Sequence, residues 1–289
     1  VIGDETYELV LALLHGQLTI KPTFLSIYDF LGLEPMGRNP MERLACFLVA
    51  RKFAKRAPET VITYAYVGDE EDVVDRPWGF GLPNRRQWAR QNCHFVGYIT
   101  PFDPQDFRNS SKVRKGLGYG TERLIICSIG GTAVGGELLE LCGKTYPLLR
   151  SCIPDLRMVL ICGPRLDSGS LNIPEGPEIR GYVPNLYQHF AASDLAIVQA
   201  GGTTTTELTA LKKPFLYFPL EQHYEQQVYV TGRLQRHGAG VKMRFPETTP
   251  ELLAEAVLAN IGRKVNYPSI PTHGAQNIAK MVKQLLGRS

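Results

Sequence analysis

Asp194-Leu195-Ala196-Ile197-Val198-Gln199-Ala200-Gly201-Gly202-Thr203-Thr204-Thr205-Thr206-Glu207-Leu208 is the stretch whose reading decides the fold. Its first third is a continuous apolar run, as a parallel strand covered on both faces requires. Two glycines stop the run, and a helical pattern follows at 205–211. A strand that turns through glycine directly into a helix is the joint of an α/β unit. The same joint recurs outward in both directions. Strands are expected at 23–28, 61–67, 124–128, 158–162, 195–199 and 215–218. Helices are expected at 8–14, 41–55, 136–149, 186–192, 205–211 and 226–236. The fold class is therefore α/β with parallel sheets.

The chain has 289 residues, a length that suits roughly two domains. A polar, basic stretch containing Pro104 and the run from Arg108 to Gly120 makes 104–121 the expected linker. It would join a first lobe, 1–103, to a second, 122–289. The first lobe offers two or three strands and the second five or six, so the first is expected to be incomplete. The chain opens on Val1-Ile2-Gly3-Asp4, which reads as the tail of a buried strand, and an N-terminal truncation is expected.

Composition excludes several classes. Hydrophobic residues at 44% and charged residues at 21% rule out disorder, collagen and coiled coil. A net charge of +4 is too small to argue for nucleic acid, and none is expected as a partner. No apolar run approaches the roughly 18 residues of a membrane span. Six cysteines without a C-x-x-C pair read as free thiols in a reducing, cytoplasmic setting. No D-x-D and no His pair with ligand spacing is present, so no metal and no cofactor is expected. The acidic run Gly68 to Asp72 reads as a solvated loop.

Three loops could carry chemistry, each directly after a strand. Ser128-Ile129-Gly130-Gly131-Thr132-Ala133-Val134-Gly135-Gly136 lets backbone approach a ligand at a helix N-terminus, where free N–H groups favour phosphate. It is neither a P-loop nor a clean G-x-G-x-x-G, and a bare turn explains it equally well. Gly201-Gly202-Thr203-Thr204-Thr205-Thr206-Glu207 suits a pyrophosphate, with the Glu207 carboxylate free for a ribose diol. Locally, Thr204-x-x-Glu207 is also a capping box. Pro219 to Gln227 offers amides and acceptors for sugar hydroxyls, or is an ordinary polar loop. In open α/β sheets the carboxyl edge of the strands is where ligands bind, and all three loops sit there.

Taken in order, these residues, with Lys213-Pro214-Phe215 and Gly181-Tyr182-Val183-Pro184-Asn185-Leu186, resemble the donor-site signature of the GT-B glycosyltransferases. The resemblance is to the group holding the bacterial peptidoglycan N-acetylglucosaminyltransferase, with the family 28 C-terminal domain. It implies two Rossmann-like lobes and a hexosyltransferase that moves a sugar from a UDP-sugar to an acceptor hydroxyl, inverting and metal-independent. It implies that Val183 meets the uracil through its backbone and that Glu207 binds the ribose. Gly130, Gly131, Gly201, Gly202, Thr203 and Thr204 would surround the diphosphate, and Ser128 and Thr132 would also belong to the donor-binding set. Gln226 and Gln227 would reach the sugar. Two departures stand out: Gln199 replaces a His of many plant-type members, and Glu225-Gln226 only loosely matches their Asp-Gln pair. The sugar and the acceptor stay unnamed.

The catalytic base is not assigned. His15, Asp4 and Asp29 are the retained candidates, and the usual source, an early loop, is expected to be missing. The helix at 41–56 joins Leu44, Phe47 and Leu48 to Arg51, Lys52, Lys55 and Arg56. It reads as a core helix with a solvated basic end, or as a peripheral contact with an anionic membrane surface. The alternatives to a transferase are a UDP-sugar 2-epimerase of the same architecture and a nucleotide-sugar-binding subunit that needs a partner chain for catalysis.

Overall fold

Apolar runs punctuated by glycine produce two separate parallel sheets in the computed structural model, which describes residues 1–14, 17, 24–32, 34, 39–54, 62–131 and 134–287. Each sheet belongs to its own compact unit. The first unit is Val1–Thr100 with Gln222–Arg233 and Ile270–Ser289; the second is Pro101–Glu221 with Leu234–Ser269.

The first sheet runs in the order β1 (Ile2–Asp4), β2 (Phe24–Tyr28), β3 (Ile62–Val67), β4 (Cys93–Gly97), all neighbours parallel. Its helices are α1 (Tyr7–Leu14), α2 (Pro40–Ala54) and α3 (Arg85–Asn92). Side chains alternate across the sheet. Ile62, Tyr64 and Tyr66 of β3 face an aromatic core with Tyr7, Tyr28, Phe53, Trp78 and Trp88. Leu25, Ala65 and Val96 face the other way, against Ile278, Met281, Val282 and Leu285.

The second sheet has the order β10-β9-β8-β5-β6-β7 and is parallel throughout. In chain order its elements are α4 (Ser110–Gly116), β5 (Arg123–Ser128), α5 (Gly136–Cys152), β6 (Leu156–Ile161), β7 (Glu178–Arg180), α6 (Leu186–Ala192), β8 (Leu195–Gln199), α7 (Gly202–Ala210) and β9 (Phe215–Phe218). There follow α8 (Thr231–His237), β10 (Val241–Lys242) and α9 (Pro250–Asn260), and α10 (Gly274–Leu286) closes the chain back in the first unit. The strands β5, β6, β8 and β9 are almost entirely buried, which is why their central runs are apolar.

Several expectations are corrected. The first sheet has four strands, not two or three: β4 buries only Val96, leaves His94 exposed and the rest half-buried, and lacks the unbroken apolar run. The stretch 104–121 is not a free linker. Arg114 donates to the Ala192 carbonyl (2.8 Å) and to Asp194 (2.7 Å), and Tyr119 bonds His189 (2.7 Å), which fixes α4 against the second unit. The stretch 122–289 is not one lobe, because 222–233 and 270–289 pack within the first unit. The expected helix at 226–236 is a π-helix, Glu225–Val230, continued by α8. The run at Gly68 is not wholly solvated: Asp72 is buried and accepts the Tyr98 hydroxyl at 2.6 Å.

Close approach fixes where α10 sits. A Cβ on Gly274 would lie 2.7 Å from the Tyr98 carbonyl and 2.8 Å from that of Gly97, backbone atoms that cannot yield. Asn277 Nδ2 donates to the Val96 carbonyl at 3.0 Å. Gly274→Val should therefore lift α10 from β4 and cost about 3 kcal/mol or more. Amide exchange checks it: protection should fall in β2 to β4 and hold in β5 and β8, and unchanged protection in β4 refutes the packing role.

Candidate functional site

The order of the second sheet reverses at one place. From β5 the chain moves outward through β6 and β7, then returns to the other side of β5 as β8 and continues to β9 and β10. Such a switch point opens a crevice at the carboxyl ends of the two diverging strands, here β5 and β8. Both glycine-rich loops lie there. The sheet thus brings Ser128, Gly130 and Gly131 beside Gly201, Gly202, Thr203, Thr204 and Glu207. Val183 follows β7 on the same edge, half-buried. Thr132 lies outside the described residues. Gln226 and Gln227 belong to the π-helix segment of the first unit.

The loop after β5 is built by its neighbours. Ser128 is buried, and its Oγ accepts the Gly130 N–H at 3.2 Å, so it shapes the turn. Gly163, at φ +77, passes so close that a Cβ would lie 2.2 Å from the Gly130 carbonyl. Gln199, at the end of β8, faces the carbonyls of Ile129 (3.0 Å) and Val134 (3.3 Å) with one end of its amide, and those two acceptors assign that end as the nitrogen. It ties the two glycine-rich loops together, a role the sequence reading did not find. Gly131 and Gly201 have open space where a side chain would be, and neither has a positive φ. The protein's own packing gives no reason for glycine at these two positions; room for a ligand does.

Two helices present their amino ends to this cradle. The N-caps are Gly135 for α5 and Gly201 for α7, and neither end has a side-chain cap bond. Their first N–H groups and the partial positive charge of each helix face the crevice. The capping-box reading of Thr204 and Glu207 is corrected, since Gly201 takes the cap position and Glu207 lies well inside α7. The hydroxyls of Thr205 and Thr209 are spent on the helix backbone, at 2.9 Å to Gly201 and 2.7 Å to Thr205.

Glu207 is 8% exposed, deep in the wall of the cradle. Burial pushes that carboxyl up to about 7. Next to the cradle a cavity of about 140 Å³ runs between Gly135, Leu138, Gln199, Phe218, Leu220 and Phe245. No group of three His, Cys, Asp or Glu among the described residues is placed to hold a metal ion.

Parallel sheets with a glycine-rich cradle at the switch point define an open-sheet α/β protein, and solved structures share the fold. A glycosyltransferase of kitacinnamycin aligns at TM-score 0.54 and 15% identity over 98% of this chain and 70% of that one. A calicheamicin glycosyltransferase aligns at 0.56 and 15% over 100% and 75%. The fold is that of the GT-B glycosyltransferases. The glycosyltransferase family 28 C-terminal domain matches residues 125–285, and the chain belongs to that family. A relative in Carboxydothermus hydrogenoformans, UDP-N-acetylglucosamine--N-acetylmuramyl-(pentapeptide) pyrophosphoryl-undecaprenol N-acetylglucosamine transferase, is 30% identical over 71% of this chain and 55% of its own length. An uncharacterized glycosyltransferase of Methanopyrus kandleri is 29% identical over 65% and 53%. The chain spans about half the length of these curated relatives.

Glu207 gives the site a stability signature. A carboxyl raised in the folded state contributes stability at low pH that is lost as pH rises through its folded value. Between pH 5.5 and 8.5 the wild type should therefore lose about 2 kcal/mol that Glu207→Gln keeps. Chemical unfolding of both proteins at the two pH values tests this; parallel losses would mean that Glu207 is not buried as a lone carboxyl.

Proposed function

We propose that the chain is a hexosyltransferase module that binds a UDP-sugar at the β5–β8 switch point and passes the sugar to an acceptor hydroxyl, with inversion and without a metal. The observation that carries this reading is the buried Glu207 carboxyl, raised by burial, one and a half turns into the uncapped helix α7. A carboxylate in that position accepts both hydroxyls of a ribose. The N–H groups at Gly202, Thr203 and Thr204, with that of Gly131, take the diphosphate. Val183 offers its backbone to the uracil. As the bond to the anomeric carbon breaks, negative charge grows on the leaving diphosphate, and helix ends already aimed at it lower that barrier. The named activities of the curated relatives support the same class of donor and acceptor.

The affinity for UDP follows the ionisation of Glu207. Only the ionised group accepts two hydroxyls, so binding should tighten as pH rises through about 7 and level off above it. Glu207→Gln should bind UDP on the order of tenfold more weakly at pH 8, since charge-assisted bonds contribute roughly 1.5–3 kcal/mol each. It should also lose the pH dependence, and EDTA should change neither protein. Calorimetric titration with UDP at pH 6 and pH 8 decides it; equal affinities remove the ribose role, and a loss on chelation removes the metal-free site.

We place the protein in the cytoplasm, at the membrane surface. Six free cysteines support a reducing compartment, and no helix among the described residues is long and apolar enough to cross a membrane. On α2, Met41, Leu44 and Leu48 follow one helical face and are exposed, with Arg51 and Lys52 close behind. Lys55 and Arg56 lie outside the described residues, as does His15. Phe80, 98% exposed, sits on the turn whose Gly79 packs on Phe47 of α2. An apolar face with a basic end suits anionic lipid. Leu44→Asp with Leu48→Asp should abolish sedimentation with phosphatidylglycerol vesicles and leave UDP affinity unchanged; undiminished sedimentation excludes this face.

A further inference from the structure

The carboxyl edge of the second sheet carries more than the glycine cradle. Gln199 closes β8 there, Pro219 to Glu221 follow β9, and Phe245 and Pro246 follow β10. With the first turn of α5 these segments enclose a cavity of about 140 Å³. Every wall belongs to the second unit. Leu138 and Phe218 are buried in it, and Leu220 and Phe245 are half-buried, so the lining is mostly apolar. Its charged members are exposed: Glu137, and Glu221, whose carboxylate meets Arg244 at 3.4 Å.

The cavity and the cradle share residues. Gly135 is the N-cap of α5, whose first N–H groups face the cradle, and it also lines the cavity. A group carried on a diphosphate at the end of α5 therefore has the cavity beside it. Gln199 serves both as well. With its nitrogen on the Ile129 and Val134 carbonyls, its oxygen is the end that lies 3.0 Å from the position of a Cβ on Gly135.

Size and chemistry limit the occupant. An engineered apolar cavity of about 150 Å³ accepts benzene. A hexose ring is larger and carries hydroxyls around its rim, and apolar walls would leave these without partners. The same walls exclude a phosphate. A short acylamino group fits: its methyl suits the apolar side chains, and its N–H suits the Gln199 oxygen.

We propose that this cavity receives the acyl group of an N-acylated donor sugar, so that the chain selects a UDP-N-acylhexosamine over a UDP-hexose. The proposal rests on the glycosyltransferase reading above and names the sugar class that reading leaves open. Selection is a difference of affinities. The two donors share the uridine, the diphosphate and the sugar ring. What separates them is the acyl carbon buried in the cavity, and one buried methyl-sized group is worth about fourfold in affinity.

Calorimetric titration of the full chain with UDP, UDP-glucose, UDP-N-acetylglucosamine and UDP-N-propanoylglucosamine reads the cavity without an acceptor. UDP-N-acetylglucosamine should bind about fourfold more tightly than UDP-glucose, and the propanoyl analogue tighter again by a similar factor. Leu220→Trp fills the cavity and should bring the acetyl-to-glucose ratio to about one. Leu220→Ala enlarges it and should favour the propanoyl analogue further over the acetyl one. Each variant is judged by ratios between donors, so a change common to all four ligands carries no weight. The opposite substitutions keep the idea testable where one of them does not fold. Equal wild-type affinities for the glucose and N-acetylglucosamine nucleotides, or ratios that neither variant moves, overturn the proposal. Octyl glucoside bound by the wild type and not by Leu220→Trp gives the cavity to the alkyl chain of an acceptor and overturns it too. UDP separates the two levels: a chain that binds UDP while the ratios fail keeps its nucleotide site and loses only the acyl pocket. A chain that binds none of the four loses the nucleotide reading itself.

Discussion

The carboxylate of Asp194 is the constraint on which the second unit depends. One of its oxygens accepts the Leu124 N–H at 2.8 Å and the Arg114 guanidinium at 2.7 Å. Its own backbone N–H donates to the Leu124 carbonyl, and its carbonyl accepts the Gly262 N–H. One residue thereby joins the start of β5, the start of β8, α4 and the segment after α9. The bonds to Leu124 set the register of β5 against β8, in which Ser128 pairs with Val198. A one-residue slip would turn every side chain of a strand to the other face. The glycine cradle at the far ends of these strands is therefore positioned from the opposite edge of the sheet, about six residues away along each strand.

Much of this was legible in the sequence where burial is complete. β5, β8 and β9 are covered on both faces and read as uninterrupted apolar runs, and the glycines after β5 and β8 marked the turns. Edge strands were not legible. β7 and β10 are three and two residues long, and β4 has one buried residue among its five, so none carries the continuous pattern. Long-range assignments were beyond reach too. Nothing local in 222–233 or 270–289 says that these segments pack in the first unit; only the partners across the sheet decide it. A signal for α9 did exist, since Thr249-Pro250 is an N-cap followed by a first-turn proline.

The site divides along the same line. Residue types and order pointed to Gly201, Gly202 and Glu207, because backbone approach and a lone carboxylate need those residues. Gln199 looked like the loss of a histidine, whereas its amide bridges two carbonyls that a ring nitrogen could serve only in part. Outside it, the strain at Glu5 was invisible: the backbone there is left-handed at φ 51, where non-glycine residues are uncommon. Such a conformation is kept only when surrounding structure enforces it, here through the bond to Ile27.

The discontinuous make-up of the first unit has a consequence for synthesis. Asn277 of α10 meets Val96 across 181 residues of sequence. A ribosome adding about 5–20 residues per second needs roughly ten to forty seconds to make that stretch. During this interval the stripe of Leu25, Ala65 and Val96 has no cover from α10. The first unit reaches its full packing only after the second has been translated, so a nascent chain carries an open apolar face while the second unit is being made. Holding that face away from other chains is a demand placed on the cell by the order in which the segments emerge.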